Sequence, residues 1–206
     1  MVLISENGTA CSSVVAKADL SQENFLLANL FPGKTQLFFS DGSQNAYQDH
    51  FNWGEDNLKQ SLSADLAVDQ EIAGKIILKY ITGEASDVFR RRMDHLVMKE
   101  LAVLARALDG ASKKADTRVI YMNPFFHLHN IFTQSFKNQF ERSVTLRPLS
   151  LDLISQKFGF DITFKHSADA AHAFCTIATL IEWYLSPHDD KMSQLAKRRV
   201  RWLSPV

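Results

Sequence analysis

The chain has 206 residues, of which 46% are hydrophobic and 22% are charged. Its 23 basic and 23 acidic residues cancel, so overall charge gives no reason to expect a nucleic acid, a membrane surface or an acidic ligand as partner. This length fits one domain, or one domain with an appendage, and such a domain can bury a core without a metal or disulfides. The N-terminus lacks the basic segment of a signal peptide, and no apolar run reaches the roughly 18 residues of a membrane span. We therefore expect a cytoplasmic protein that does not enter a membrane.

The N-terminal part of the sequence contains one clear strand. Residues 1–34 carry few signals beyond a helical pattern at residues 21–30, and they are predicted to form an N-terminal extension. Residues 35–40, Thr-Gln-Leu-Phe-Phe-Ser, have the composition of a buried strand. Asp41-Gly42-Ser43 follows and predicts a turn at the end of that strand, which makes Asp41 the first candidate for a functional residue.

The middle of the chain is predicted to hold two further strands and a long helix. Residues 44–70 are polar and are interpreted as a loop with at most a short helix. Residues 74–81 predict a second strand, and residues 87–93 predict a third that pairs with it through a short turn. Residues 95–108 have apolar side chains at helical spacing, and Gly110 is predicted to end that helix.

The C-terminal half of the sequence alternates strands with helices. The predicted elements are strands at residues 117–122 and 160–165, and helices at residues 125–140, 149–158 and 168–185. Strands in a meander, followed by alternation with helices, favour an α/β fold with a mixed central sheet flanked by helices. We assign this domain to residues 35–186.

Residues 187–206 are predicted to form a basic C-terminal helix or tail. Basic side chains beside an aromatic such as Trp202 suit phosphate contacts combined with base stacking. The alternative is a solvated helical face. The candidate nucleic-acid-binding residues are Lys197, Arg198, Arg199 and Arg201.

The order of several motifs resembles the ribonuclease H-like superfamily over residues 35–185. The segment Leu37-Phe38-Phe39-Ser40-Asp41-Gly42-Ser43 is similar to that family's first strand, which ends in Asp-Gly-Ser. Glu100 is placed like its glutamate early in the first helix, while Asn123 stands where its fourth strand ends in aspartate. His166 and Asp169 are similar to its flexible histidine and fourth carboxylate. The resemblance implies a ribonuclease H-like fold with these five polar residues as the catalytic set.

A second register resembles another branch of the superfamily, the proofreading-type DEDD 3′–5′ exonucleases. In that register Ser43, His127 and Ala171 stand where the branch has acidic residues. Only Asp41 and His166 keep the residue type that the exonuclease pattern requires. The chain therefore departs from this branch at three positions.

The resemblance implies a metal-dependent nuclease that hydrolyses RNA or DNA phosphodiesters. The two-metal mechanism requires carboxylates that converge on two Mg²⁺ or Mn²⁺ ions roughly 3.5–4 Å apart. Asp41, Glu100 and Asp169 are the expected metal ligands, because hard cations prefer carboxylate oxygens, and His166 is expected to help the product leave. Asn123 removes one negative charge from the set. The alternative is therefore a catalytically degenerate module that binds nucleic acid or protein.

Each candidate residue also has a structural interpretation. Asp41 suits a turn, Glu100 suits an exposed helix face, and Asp169 suits the first turn of a helix. Asn123 before Pro124 suits the turn that ends a strand. The phenylalanine-rich segment suits an aromatic core stripe or a contact with a protein partner or a second copy of the chain. The sequence leaves the choice between an enzyme and an interaction module undecided.

Overall fold

A computed structural model of the chain describes residues 7–18, 24–41, 45–84, 86–124, 134–149, 151–159, 174 and 176–181. These ranges contain both helices and strands. The elements are α1 (Asn7–Ala18), β1 (Phe25–Leu30), β2 (Thr35–Ser40), β3 (Asn45–Phe51), α2 (Glu55–Leu66), α3 (Gln70–Thr82), α4 (Asp87–Lys114), β4 (Val119–Pro124), α5 (Gln134–Lys137), β5 (Thr145–Pro148) and α6 (Leu151–Phe158). Residues 176–181 are also helical.

The five strands form one mixed sheet in the order β3-β2-β1-β4-β5. The strand β2 runs antiparallel to both of its neighbours, whereas β1, β4 and β5 run parallel to one another. The chain thus begins as an antiparallel meander and then crosses back, through α2, α3 and α4, to place β4 on the other side of β1. This arrangement confirms the predicted α/β fold with a mixed sheet flanked by helices.

Each face of the sheet carries its own hydrophobic core. On one face Leu26, Ala28 and Leu30 of β1 pack with α2, α3 and α4. On the other face Phe25 and Leu27 pack with α1 and with Phe174, Ala178 and Ile181. All six residues of β1 are buried as a result. Strands covered on both faces have continuous apolar runs, which explains why residues 21–30 were wrongly predicted as helical.

The start of α2 is fixed against the turn between β1 and β2. The backbone N–H of Asp56 donates to the carbonyl of Pro32 at 2.8 Å, and the hydroxyl of Thr35 donates to the carbonyl of Trp53 at 2.8 Å. Between these bonds, Gly54 lies so close to the turn that a Cβ atom there would be 2.1 Å from the carbonyl oxygen of Phe31. The turn at the end of β1 is therefore held by backbone contacts with the following helix.

Residues 74–81 are helical, so the predicted second strand is wrong. Asp69 caps the N-terminus of α3 by accepting a hydrogen bond from the N–H of Ile72 at 2.8 Å, and Gly83 ends it with φ of +78°. These two caps lie thirteen helical residues apart, and only Ala73 and Ile77 between them are buried. The isoleucines of this segment favoured a strand on propensity, but the helix caps and packing on one face decide the structure.

Residues 87–93, which were predicted as a third strand, form the first part of the helix α4. It begins after Ser86, whose hydroxyl accepts from the N–H of Phe89 at 3.4 Å, and it continues through Gly110 to Lys114. The predicted helix at residues 95–108 is thus confirmed, and it is longer at both ends. The polar segment at residues 44–70, predicted as a loop with at most a short helix, forms the strand β3 and the helix α2, so only the helix agrees with the prediction.

The boundaries of the predicted domain also need correction. Residues 1–34 were assigned to an N-terminal extension, but β1 lies at the centre of the sheet between β2 and β4. Helix α1 packs on the same sheet through Cys11, Val14 and Val15. The N-terminal segment is therefore part of the domain. The predicted strand at residues 160–165 and the tail at residues 187–206 lie outside the described ranges.

The last described elements include one predicted helix and one strand that was not predicted. The predicted helix at residues 149–158 is confirmed as α6, which ends at Gly159 with φ of +69°. Strand β5 had no counterpart among the predicted elements. None of the helices in the described ranges has the length and apolar character of a transmembrane span.

Helices α3 and α4 are joined by a hydrogen bond from the Tyr80 hydroxyl to the Asp94 carboxylate. Burial raises the pKa of Tyr80 above its usual 10.0, and the bond to Asp94 raises it further. A raised folded-state pKa adds stability below about pH 10 that is lost as pH rises further, because the unfolded hydroxyl ionises first. We expect urea unfolding to show a steeper loss of stability above pH 10 for the natural protein than for Tyr80→Phe. At neutral pH the variant should lose about 0.5–1 kcal/mol, and parallel pH profiles would contradict this role.

Candidate functional site

The carboxyl ends of β1 and β4 lie side by side at one edge of the sheet. The chain leaves β1 toward β2 on one side, and it returns to β4 on the other side after the crossover through the helices. Ligands of open α/β sheets bind at such points, because the connections diverge and leave a crevice beyond the strand ends. This edge is the part of the fold where a functional site is expected.

A row of polar side chains crosses the sheet at this edge. Asn29 of β1 is paired with Asn123 of β4 and with Gln36 of β2, and Gln36 is paired in turn with His50 of β3. Aligned partners project to the same face, which is the face that carries α1. One pleat earlier on this face, Leu27, Phe38 and Tyr121 belong to the hydrophobic core. We refer to Asn29, Gln36, His50 and Asn123 as the polar row.

The two asparagines of the polar row are buried. Asn29 is 0% exposed and Asn123 is 1% exposed, whereas His50 is exposed. Within the described part of the chain, neither the amide nitrogen nor the amide oxygen of Asn29 has a hydrogen-bond partner. A buried polar group without a partner costs about 1–3 kcal/mol. The buried amide of Asn29 therefore lowers the stability of the folded state, and a bound group that hydrogen-bonds to it would remove this penalty.

A buried carboxylate lies near the same strand end. Glu55 is the first residue of α2, beside the β1–β2 turn, and it is 8% exposed. Its carboxylate forms an ion pair with Lys59, one helical turn later, at 2.6 Å. The charge of Glu55 is thus neutralised within α2.

The structure separates Asp41 from Asn123. Ser40 is paired with Phe25 at the beginning of β1, whereas Asn123 is paired with Asn29 near its end. Asp41 follows Ser40, so it lies roughly 16 Å along the sheet from the polar row, at the opposite edge. Two-metal sites need their ligands around ions only about 4 Å apart. The two residues cannot share such a site.

Glu100 lies on the other face of the sheet from Asn123. Helix α4 packs against Ile120 and Met122, and Asn123 alternates with them to project from the opposite face. His166, Asp169, Lys197, Arg198, Arg199 and Arg201 lie outside the described ranges. Among the residues that the structure does describe, no group of three or more His, Cys, Asp or Glu side chains is arranged to hold a metal ion.

The sequence around Asn29 indicates that this residue is unusual. Asn29 is the single polar residue of the run Phe-Leu-Leu-Ala-Asn-Leu, and an amide inside such a run is expensive unless something binds it. A helix was predicted for this segment, and that prediction does not place Asn29 beside Asn123. Only the parallel pairing of β1 with β4 brings the two together.

Comparison with known proteins gives similarity in structure and none in sequence. No protein-family model and no curated protein sequence matches the chain. A chain of a PilM–PilN type IV pilus biogenesis complex is similar with a TM-score of 0.65 and 12% identity, over 87% of this chain and 52% of that one. The ethanolamine utilization protein EutJ from Carboxydothermus hydrogenoformans is similar with a TM-score of 0.52 and 15% identity, over 65% and 48%. This chain thus spans about half the length of each.

These similarities overturn the predicted nuclease. EutJ and PilM have the actin-like ATPase fold, which points away from a nuclease. The separation of Asp41 from Asn123 agrees with this correction, because it removes the common site that the nuclease prediction required. Nucleic-acid binding has no support from these relatives. The chain has an α/β fold with a mixed sheet that is similar to proteins of the actin-like ATPase fold.

Proposed function

We propose that this chain is the partner-binding part of a protein with an actin-like fold, and that it acts through protein–protein contact. The observation that carries the proposal is the similarity to a chain of the PilM–PilN complex over 87% of the length of this chain. That protein assembles with another protein, and the similarity in fold extends over most of this chain. A protein partner or self-association was one of the alternatives that the sequence left open.

The finer assignment to the ribonuclease H-like superfamily remains our proposal for the origin of the fold. Support comes from the antiparallel meander β1-β2-β3 followed by parallel strands reached through helices. Within the described residues, the carboxyl ends of β1 and β4 carry the amides Asn29 and Asn123 where the family pattern would place carboxylates. A relationship in fold without the catalytic set is consistent with a binding role.

Cross-linking in the cells that make the protein tests the proposal. The complete protein is affinity-tagged, cross-linked before lysis and digested with nuclease, and its cross-linked peptides are identified by mass spectrometry. We expect one protein to be enriched reproducibly, with cross-links that fall on surface residues of the described ranges. Enrichment that disappears after nuclease digestion, or no enriched protein at all, would contradict the proposal.

A second candidate function is the binding of a small polar ligand at the polar row. The specific observation is the buried amide of Asn29, which within the described residues has no partner for its donor or its acceptor. Because the neighbours have an actin-like ATPase fold, adenosine triphosphate is the first ligand to try. The amides of Asn29 and Asn123 would hydrogen-bond the ligand. Mg²⁺ or Mn²⁺ remains part of this proposal, held by the ligand's phosphates.

A further inference from the structure

One face of α4 carries a line of basic side chains. Arg92, His95, Lys99 and Arg106 are exposed and lie on the side of the helix opposite its buried residues, which include Val97, Leu101 and Leu108. Arg91 is also exposed and lies at the border of that side. We call these five residues the basic face. With 1.5 Å of rise per residue, the face extends over roughly 22 Å of an uninterrupted helix.

Few of the side chains of the basic face form ion pairs with carboxylates. Lys99 lies 3.6 Å from Asp65 of α2, but in the described ranges no carboxylate is within ion-pair distance of Arg91, Arg92 or Arg106. On α4 itself, Asp87 lies one turn before Arg91 and Asp109 lies one turn after Arg106. Within the described residues neither forms an ion pair with these arginines, and Asp109 pairs instead with Lys113 at 2.6 Å. Acidic and basic residues balance over the whole chain, so this face is a local concentration of charge.

Two apolar side chains accompany the basic face. Val88 is 81% exposed and Val103 is 42% exposed, and they are two of the four large hydrophobic residues exposed in the described part of the chain. Both lie on the same side of α4 as the arginines, fifteen positions apart. An exposed apolar side chain among unpaired charges is a feature of surfaces that partner proteins cover.

The composition of this surface favours a protein as its partner. A helix that inserts into a membrane needs bulky apolar residues opposite its charges, but the apolar side of α4 is already buried in the core. Binding to single-stranded nucleic acid uses aromatic side chains for base stacking, and the basic face has only His95. Carboxylates with apolar side chains between them would match both the arginines and the valines.

We propose that the basic face of α4, with Val88 and Val103, is the docking surface for an acidic segment of a partner protein. The inference rests on the proposed function, because it names the surface through which the chain would bind its partner. Arg91, Arg92 and Arg106 supply the charge, and the two valines supply apolar contact at intervals along the helix. Because α4 is one uninterrupted helix, the spacing of these residues along its backbone is fixed before the partner arrives.

The test uses a labelled acidic peptide and a matched pair of charge reversals. The probe is a fluorescein-labelled helical peptide of about 20 residues, with glutamates and two leucines at the spacing of the basic face. One variant of the complete protein carries R91E, R92E and R106E. The control carries K34E, K137E and K157E, which make the same change in net charge at exposed lysines elsewhere. Circular dichroism verifies that both variants are folded.

We expect saturable peptide binding to the natural protein and the control, weakened by about tenfold or more in the α4 variant. Equal binding by all three proteins would overturn the inference. So would a preference for vesicles of phosphatidylcholine with phosphatidylserine, or for duplex DNA, over the peptide. Self-association that the α4 variant abolishes would show a second copy as the partner and overturn the assignment to another protein.

The cross-linking experiment separates this inference from the proposed function. If the α4 variant still cross-links to the same partner as strongly as the control does, the docking surface is wrong and the proposed function stands. If no partner is found with the natural protein, the proposed function fails and the inference fails with it. Loss of the cross-link in the α4 variant alone supports both.

Discussion

Replacing Gly54 with alanine is expected to lower the free energy of unfolding by about 3 kcal/mol, the largest loss that we predict for a single methyl group here. The backbone at Gly54 is extended, with φ of −160°, so any residue could adopt it. Space is the difficulty, because an alanine Cβ would lie 2.1 Å from the carbonyl oxygen of Phe31 and 2.3 Å from that of Pro32. Both contacts are with backbone atoms, so α2 or the β1–β2 turn must move.

Gly110→Ala is the matched control for this substitution. Gly110 lies on an exposed part of α4, and a Cβ there would meet no heavy atom within 4 Å. Alanine is the better helix former, so this variant should gain about 0.5–1 kcal/mol. Urea unfolding of both variants measures the difference. A Gly54→Ala protein as stable as the natural one would show that α2 does not hold the turn at the end of β1.

Replacing Asn29 with leucine is expected to raise the free energy of unfolding by about 1–3 kcal/mol, which is unusual for a fully buried position. The asparagine amide is buried on β1 with no partner among the described residues, and leucine has a similar volume without polar atoms. Gln36→Leu changes the half-exposed neighbour in the polar row and should alter stability by less than about 0.5 kcal/mol. A loss of stability in Asn29→Leu would mean that the amide makes bonds that the fold needs.

The same variant tests the second candidate function. Isothermal titration calorimetry with adenosine triphosphate and Mg²⁺ is expected to show binding to the natural protein and none to Asn29→Leu. A variant that is more stable but no longer binds ligand would show that the buried amide is retained for function at the expense of stability. If the natural protein gives no heat with this ligand or with guanosine triphosphate, the nucleotide proposal is wrong, while the stability prediction is unaffected.

Much of the architecture could be predicted because its elements have clear local signals. The strand composition of residues 35–40, the helical spacing of residues 95–108, and the glycine after Phe158 each identified a real element. The helix α3 was missed because its isoleucines have strand propensity, while the caps at Asp69 and Gly83 that define it are single residues. A central strand such as β1 has no periodicity, because both of its faces are buried.

The wrong prediction of a helix at β1 led to the wrong prediction of a catalytic site at Asp41. With residues 21–30 assigned to a helix, Thr35–Ser40 became the first strand, and Asp41 took the place of its catalytic carboxylate. In the structure Thr35–Ser40 is the second, antiparallel strand, so its end lies at the edge of the sheet away from Asn123. Direction of a strand is a property of the whole sheet, and no motif within the strand reports it. The sequence predicted that Asn123 follows a strand, but it did not predict that Asn29 of β1 lies beside it.

The mass of the complete protein, isolated under native conditions from the cells that make it, tests the central claim most directly. Native mass spectrometry before and after nuclease digestion would distinguish a partner-binding protein from one that works on nucleic acid. Our account predicts a defined complex with a second protein chain, whose mass does not change on digestion. A protein that is monomeric with nothing bound, or a complex that loses mass after digestion, would contradict it.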